Sequence, residues 1–301
     1  MQTKRNKPIL LYLLCTLCYL SACDIINPAE DIPAYIQVDN FELTTNLITQ
    51  GSNRHQINDV WAFVGGEALG VFELPANIPV LATGDQTITL FAGIRENGLR
   101  STPVIYPFYE RYETIVNLVP EQTTIISPTI TYHAGNSLFE VIEDFEDSRL
   151  TLRSTTPNTL GRTTATAQIL EGTASGQVLL NTNTRVELTS RATFTDLPTT
   201  EGLPVYLEMD YRTNVELEVG LVGISTDPLN PIESVSYKVI LCPLSDWNKV
   251  YINFQEDLEV SQLEAYRLAF RASIEDTGCG NSNRTNPEVL LDNIKLIRFQ
   301  P

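Results

Sequence analysis

Short extended runs without any long helical periodicity constrain this 301-residue chain more than any other feature. Stretches rich in β-branched and aromatic residues recur at short intervals, divided by Gly, Pro, Asn and Asp. That spacing predicts packed β-sheets rather than alternating strands and helices. Ile36 and Val38 alternate with Gln37 and Asp39, and Ile57 to Val64 reads as a second strand ending at Gly65-Gly66. A third strand resumes from Ala68 to Leu74, so the glycine pair is expected to form a tight hairpin, where positive backbone dihedrals suit glycine. After a polar turn at Thr83-Gly84-Asp85, Ile88, Leu90, Ala92 and Ile94 stand at strict period two. Val104 to Tyr106, Thr114 to Leu118 and Thr124 to Tyr132 follow, bounded by Pro103, Pro107, Pro120 and Pro128. Seven strands in about a hundred residues suit an immunoglobulin-like sandwich, here residues 34–134.

Residues 137–301 open with LFEVIEDFED and close with VLLDNIKLIRF. Between them the apolar series alternates clearly: Val205, Leu207, Met209 and Tyr211; Val215, Leu217, Val219 and Leu221; Val250, Ile252 and Phe254; Tyr266, Leu268 and Phe270. Glu208, Asp210, Glu216, Glu218, Lys249, Asn253, Arg267 and Arg271 occupy the intervening positions, so each sheet is expected to have one dry and one wet side. Eight or more such strands close naturally as a second sandwich, a jelly roll.

Two resemblances add to this reading. The hairpin portion, VWAFVGGEALGVFELPANIPVLATGDQTITLFAG, resembles PEGA-type and carboxypeptidase-regulatory-like β modules of surface proteins over about residues 60–93, although Gln86 replaces their usual histidine. In those modules it implies a structural or binding element without catalytic residues. Phe145-Glu146-Asp147, Pro204 to Asn214, Asp246 to Phe254 and Leu290 to Ile297 together resemble galactose-binding-like and carbohydrate-binding-module jelly rolls. The likeness implies that Trp247 is a core tryptophan. It also implies that Glu146 and Asp292, from the first and last strands, hold a structural calcium, with Asp292 sharing the inward parity of Ile294 and Leu296. Two oxygen donors are far fewer than the six to eight that calcium takes, and a hydrogen-bonded strand-end Asp accounts equally for Asp292. No other cofactor is implied.

The N-terminus states a location. Lys4, Arg5 and Lys7 precede an apolar run from Pro8 to Leu20, then Leu20-Ser21-Ala22-Cys23. That run is shorter than the roughly 20 residues a membrane-spanning helix needs, so it reads as a cleaved export signal, residues 1–22, ending in a lipobox. Cys23 is then the lipidated residue, and residues 23–33 form a tether. Several acyl chains anchor stably where one binds marginally, so the expected partner is a membrane, in the cell envelope and, for an outer-membrane lipoprotein, facing either the periplasm or the surface.

Cleavage leaves only Cys242 and Cys279 as thiols, which an oxidising compartment pairs into a disulfide. They lack C-x-x-C spacing, so their role is structural. The formal charge of −17 loses three cations with the signal and no carboxylate, a balance that excludes nucleic acid as a direct partner.

Catalytic machinery is scarce. His55 and His133 are the only histidines, and no HExxH, G-x-S-x-G or Walker A motif is present. Glu140, Glu143, Asp144, Glu146 and Asp147 form the densest acidic cluster, expected as the solvated face of a first strand. Aromatic side chains are the candidate ligand or interface residues. Trp61 is set to face away from the core of its strand, and Tyr106, Phe108, Tyr109 and Tyr112 in YPFYERY read either as a binding strip or as a wedge between domains. The expected function is a non-catalytic, lipid-anchored protein that binds glycan or another envelope protein. The alternatives are a carbohydrate-active enzyme with a convergent carboxylate pair and a structural spacer.

Overall fold

The computed structural model describes residues 31–99, 101–200, 202–225, 227, 231–275, 278–280 and 285–300. The signal segment and Cys23 lie outside the described residues. The first half contains β1 (Ala34–Val38), β2 (Glu42–Leu43), β3 (Asp59–Val64), β4 (Glu67–Glu73), β5 (Ala76–Val80), β6 (Gly84–Arg95), β7 (Pro103–Ile105), β8 (Tyr112–Leu118), β9 (Thr123–Ile126) and β10 (Thr129–Ile130). One sheet runs β5-β1-β9, extended by the pair β2-β10, and faces a second running β4-β3-β6-β7 with β8 also on β6. This is the immunoglobulin-like sandwich. Ile36, Val60, Ile78, Ile88, Leu90 and Ile94 fill it, each fully buried.

Gly65 and Gly66 form the hairpin between β3 and β4, with φ of 59° and 87°. Strand β5 is absent from the sequence reading because Pro75 and Pro79 mark its ends. It forms at the sheet margin, paired only with β1, where the missing N–H of Pro79 costs no ladder bond. The expected strand from Thr124 to Tyr132 is divided at Pro128 into β9 and β10.

The second half contains β11 (Ser137–Glu143), β12 (Leu152–Ser154), β13 (Leu160–Thr163), β14 (Ser175–Leu179), β15 (Arg185–Ser190), β16 (Val205–Thr213), β17 (Glu216–Ser225), β18 (Ile232–Leu241), β19 (Leu244–Asn253), helix α1 (Gln255–Ser261), β20 (Ala265–Ser273) and β21 (Glu288–Phe299). Its two sheets run β13-β14-β21-β16-β19, with β11 also on β21, and β12-β15-β20-β17-β18. They enclose one apolar cluster that includes Phe145, Leu207, Met209, Leu217, Val219, Ile252, Phe270, Leu291 and Leu296. This is the jelly-roll sandwich. Cys242 and Cys279 are bonded across one end of it.

The expected wet side of the first jelly-roll sheet is dry. Glu208, Asp210 and Lys249 are buried because the N-terminal sandwich covers the outer face of β16, β19 and β21. Glu216 and Glu218 are buried as well, Glu216 accepting from the backbone N–H groups of Gly278 and Cys279 and Glu218 paired with Arg271. The acidic cluster is also redistributed. Only Glu140 and Glu143 lie on β11; Glu140 pairs with Arg298, and Glu143 caps the following turn from the Phe145 and Thr151 backbones.

A β-bulge on β21 reverses the parity expected for Asp292. Glu208 pairs with Lys295 but Asp210 with Asp292, so Asn293 is the extra residue and adopts φ of 47°. Leu291 and Ile294 both point into the core, and Asp292 is left on the outer face.

Candidate functional site

The outward residues of β16, β19 and β21 meet the N-terminal sandwich in a seam. Tyr106, Phe108 and Tyr109 are buried there. Tyr106 packs edge-on against Tyr206 at 5.2 Å and Tyr251 at 5.0 Å, while Phe108 lies 4.6 Å from Phe299. These three residues are therefore the wedge and not a binding strip. Tyr112 begins β8, half-buried against the N-terminal core.

Charges fill the middle of the seam. Glu208 Oε1 accepts hydrogen bonds from the hydroxyls of Tyr106 and Tyr132, both at 2.8 Å. Its Oε2 faces Lys249 Nζ at 3.3 Å without the alignment of a hydrogen bond. Asn293 Nδ2 donates to Asp210 at 3.2 Å, and Lys295 Nζ donates to the Ser52 carbonyl at 2.6 Å and to Tyr132 Oη at 3.2 Å. Burial alone would raise the Glu208 pKa, but Lys249, Lys295 and the two tyrosine hydroxyls hold it below the usual carboxylate range. Burial lowers Lys295 to about 8 against the pull of Glu208, and it raises Tyr106 and Tyr132 well above the ordinary phenol. His55 borders this seam, its pKa lowered by burial and by Lys249. Glu208, Asp210, Lys249 and Lys295 are enclosed and face partners, half-exposed Arg54 reaches Asp210 from the rim at 3.5 Å, and the seam joins the two halves.

Glu146 and Asp292 both line a small hollow of about 160 Å³, together with Ser52, Asp144, Glu171 and Asn293. Glu146 accepts from the Thr173 backbone N–H and hydroxyl and the Ala174 N–H, while Asp292 accepts from Ser175 Oγ at 2.6 Å and the Asn293 N–H at 2.9 Å. Burial raises Asp292 to about 7 despite those hydrogen bonds. Among the described residues, no three His, Cys, Asp or Glu side chains are arranged to hold a metal ion. The hollow is also smaller than the roughly 300–1,000 Å³ of ordinary ligand pockets.

A half-buried aromatic group lies on an outer sheet face of the N-terminal sandwich. On β3 the core takes Val60, Ala62 and Val64, so Trp61 and Phe63 emerge on the opposite face. Sheet register places Trp61 between Val71 of β4 and Phe91 of β6, and Phe63 beside Thr89. Phe63 and Phe91 meet edge-on at 5.5 Å. With Thr87, Arg111 and Glu113 they line an open hollow of about 540 Å³ at the Gly65-Gly66 hairpin. Ile115 continues the face and is 72% exposed. Trp61 keeps its indole N–H covered and without an acceptor. Phe63 and Phe91 were not singled out in the sequence, although the run VWAFV, apolar at both parities, carries the signal of a strand apolar on both faces. Trp247 is not the core residue its surroundings in sequence imply. It is half-buried outside both apolar clusters, with the Arg212 guanidinium carbon 5.7 Å from its ring centroid.

No protein-family model matches the sequence, and no curated protein is similar to it. Among solved structures, the xylan-binding domain CBM22-1 of a Paenibacillus barcinonensis enzyme aligns at 12% identity and a TM-score of 0.37, over 54% of this chain and 94% of that one. A family 11 carbohydrate-binding module from Clostridium thermocellum, in complex with a β-1,3-1,4-mixed-linked tetrasaccharide, aligns at 14% identity and 0.35, over 54% and 96%. The enzymatically active domain of a tailspike protein from bacteriophage CBA120 aligns at 11% identity and 0.34, over 50% and 19%. At such values the likeness carries nothing about ligands from those proteins to this chain.

Proposed function

We propose that this protein is a lipid-anchored, non-catalytic binding protein of the cell envelope and that its ligand is a glycan, received on the exposed face of β3 and β6. The observation that carries the reading is the pair of half-buried rings Phe63 and Phe91, which line an open hollow with Arg111, Glu113, Thr87 and Thr89 and have Trp61 next to Phe91 in sheet register. Aromatic faces stack on the apolar C–H surface of a sugar ring, and the flanking charged and hydroxyl groups suit its hydroxyls. The lipobox ending at Cys23 and the acidic balance of the chain support an exported, membrane-attached location.

A glycan array probed with the chain from Asp24 onward, with and without calcium, tests this reading. Binding that disappears in Trp61→Ala and Phe91→Ala is the expected result, and silence on the array overturns it. Exposed Val71 and Ile115 on the same face favour a second reading, an envelope protein as partner, which cross-linking from Ile115→Cys would reveal.

A further inference from the structure

The N-terminal sandwich exposes apolar side chains at both ends, Leu47 (67%) and Ile48 (89%) at the end beside the jelly roll and a wider group at the far pole. Leu81 is 62% exposed, Ile32 53% and Val119 39%. Strand pairing brings them to the same end of the sandwich. Ala34 pairs with Val80, which sets Leu81 beside Pro33; the Glu121 N–H donates to the Pro33 carbonyl, which sets the turn from Val119 to Gln122 against the same residue. Gly84, just after Leu81, pairs with Leu118. Half-buried Tyr35 and exposed Ile125 extend the apolar surface along the outer side of β1 and β9.

We propose that this pole rests on the surface of a zwitterionic lipid bilayer, with Ile32, Leu81 and Val119 entering the headgroup region and Tyr35 at its edge. The inference rests on lipidation of Cys23. Eight residues, Asp24 to Asp31, separate that cysteine from Ile32, a reach of at most about 32 Å when fully extended. Strand β6 starts at the pole and ends against the jelly roll, and its twelve residues span about 40 Å. The tether therefore holds the pole, and not the jelly roll, close to the membrane. Tyrosine and aliphatic side chains suit the bilayer interface. Asp31, Asp85 and Glu121 border the patch and would be repelled by anionic lipid, which selects a zwitterionic surface.

The test uses the full lipidated chain in phosphatidylcholine and phosphatidylethanolamine vesicles, spin-labelled through Leu81→Cys or, at the opposite end, through Ile48→Cys. A several-fold higher ratio of oxygen to nickel-chelate accessibility at position 81 than at position 48 is expected, falling when phosphatidylglycerol is added. A label at Glu121→Cys should show the same immersion and lose it in the combined variant I32S, L81S and V119S while the protein still floats with the vesicles. Equal aqueous exposure at positions 81 and 48 in a floating protein overturns the proposal, and so does spin–spin broadening at position 81, which would assign the patch to a second copy. Failure of the lipidation reading shows separately, as absence of acyl mass on Cys23 together with loss of flotation, and it overturns the proposal by removing the tether.

Discussion

Asp292 is buried on the bulge of β21 with two hydrogen bonds, and burial still raises it to about 7. A carboxylate whose pKa is higher folded than unfolded contributes stability that is complete below the unfolded value of about 4 and is lost as the pH rises through the folded value. The protein should therefore lose up to a few kcal/mol between pH 5 and pH 7.5. Urea midpoints at the two pH values should differ in the wild type and converge in Asp292→Asn, which keeps an acceptor for Ser175 without a charge. Tyr132 makes a second case. Its hydroxyl donates to buried Glu208 and accepts from Lys295, so Tyr132→Phe should cost about 1.5–3 kcal/mol in denaturant melts, the range for hydrogen bonds to charged groups. Gly176 shows a steric constraint: a Cβ there would lie 2.5 Å from the Phe145 ring, so Gly176→Ala should lose about 1–3 kcal/mol by overpacking.

Among the elements, strand β18 and the loop before β21 depend on the bond between Cys242 and Cys279, which are 37 residues apart. Closing a loop of that length in the unfolded chain is worth about 3–4 kcal/mol in the entropy model. Replacing both cysteines by serine should lower the melting temperature by that equivalent, and adding reductant to the wild type should have the same effect. On β17 the constraint is sharper, since a Cβ at Gly220 would lie 1.9 Å from the Ser236 carbonyl oxygen. Glycine at that position lets the two strands approach this closely beside the bulge between β17 and β18.

For the whole molecule, the seam makes the two sandwiches one mechanical unit. Glu208, Asp210, Lys249 and Lys295 come from the jelly roll, whereas Tyr106, Tyr132 and Ser52 come from the N-terminal sandwich. Glu208 Oε1 and Lys295 Nζ find their hydrogen-bond partners across the seam, in the N-terminal sandwich. Calorimetry should show a single cooperative transition, and Lys249→Met, which leaves Glu208 and Asp210 buried without that cation, should lower its midpoint by the equivalent of about 3–5 kcal/mol. Covering this sheet also directs any ligand to surfaces that remain open, of which the β3 and β6 face carries the aromatic cluster.

Alternation by itself determined the two sandwiches, the Gly65-Gly66 hairpin and the inward series from Ile88 to Ile94, because a period of two depends only on which side of a strand meets water. The two cysteines beyond the N-terminal segment likewise pointed to the disulfide that the structure forms between them. Tertiary structure decided the rest. The wet face of β16 became a seam because a second domain covers it, and strand periodicity cannot record what lies on the far side. Asp292 changed face through one extra residue, a shift that leaves composition untouched. Trp61 was visible as a residue facing away from its core, but its partnership with Phe91 depends on register between strands about thirty positions apart, which only the folded sheet sets.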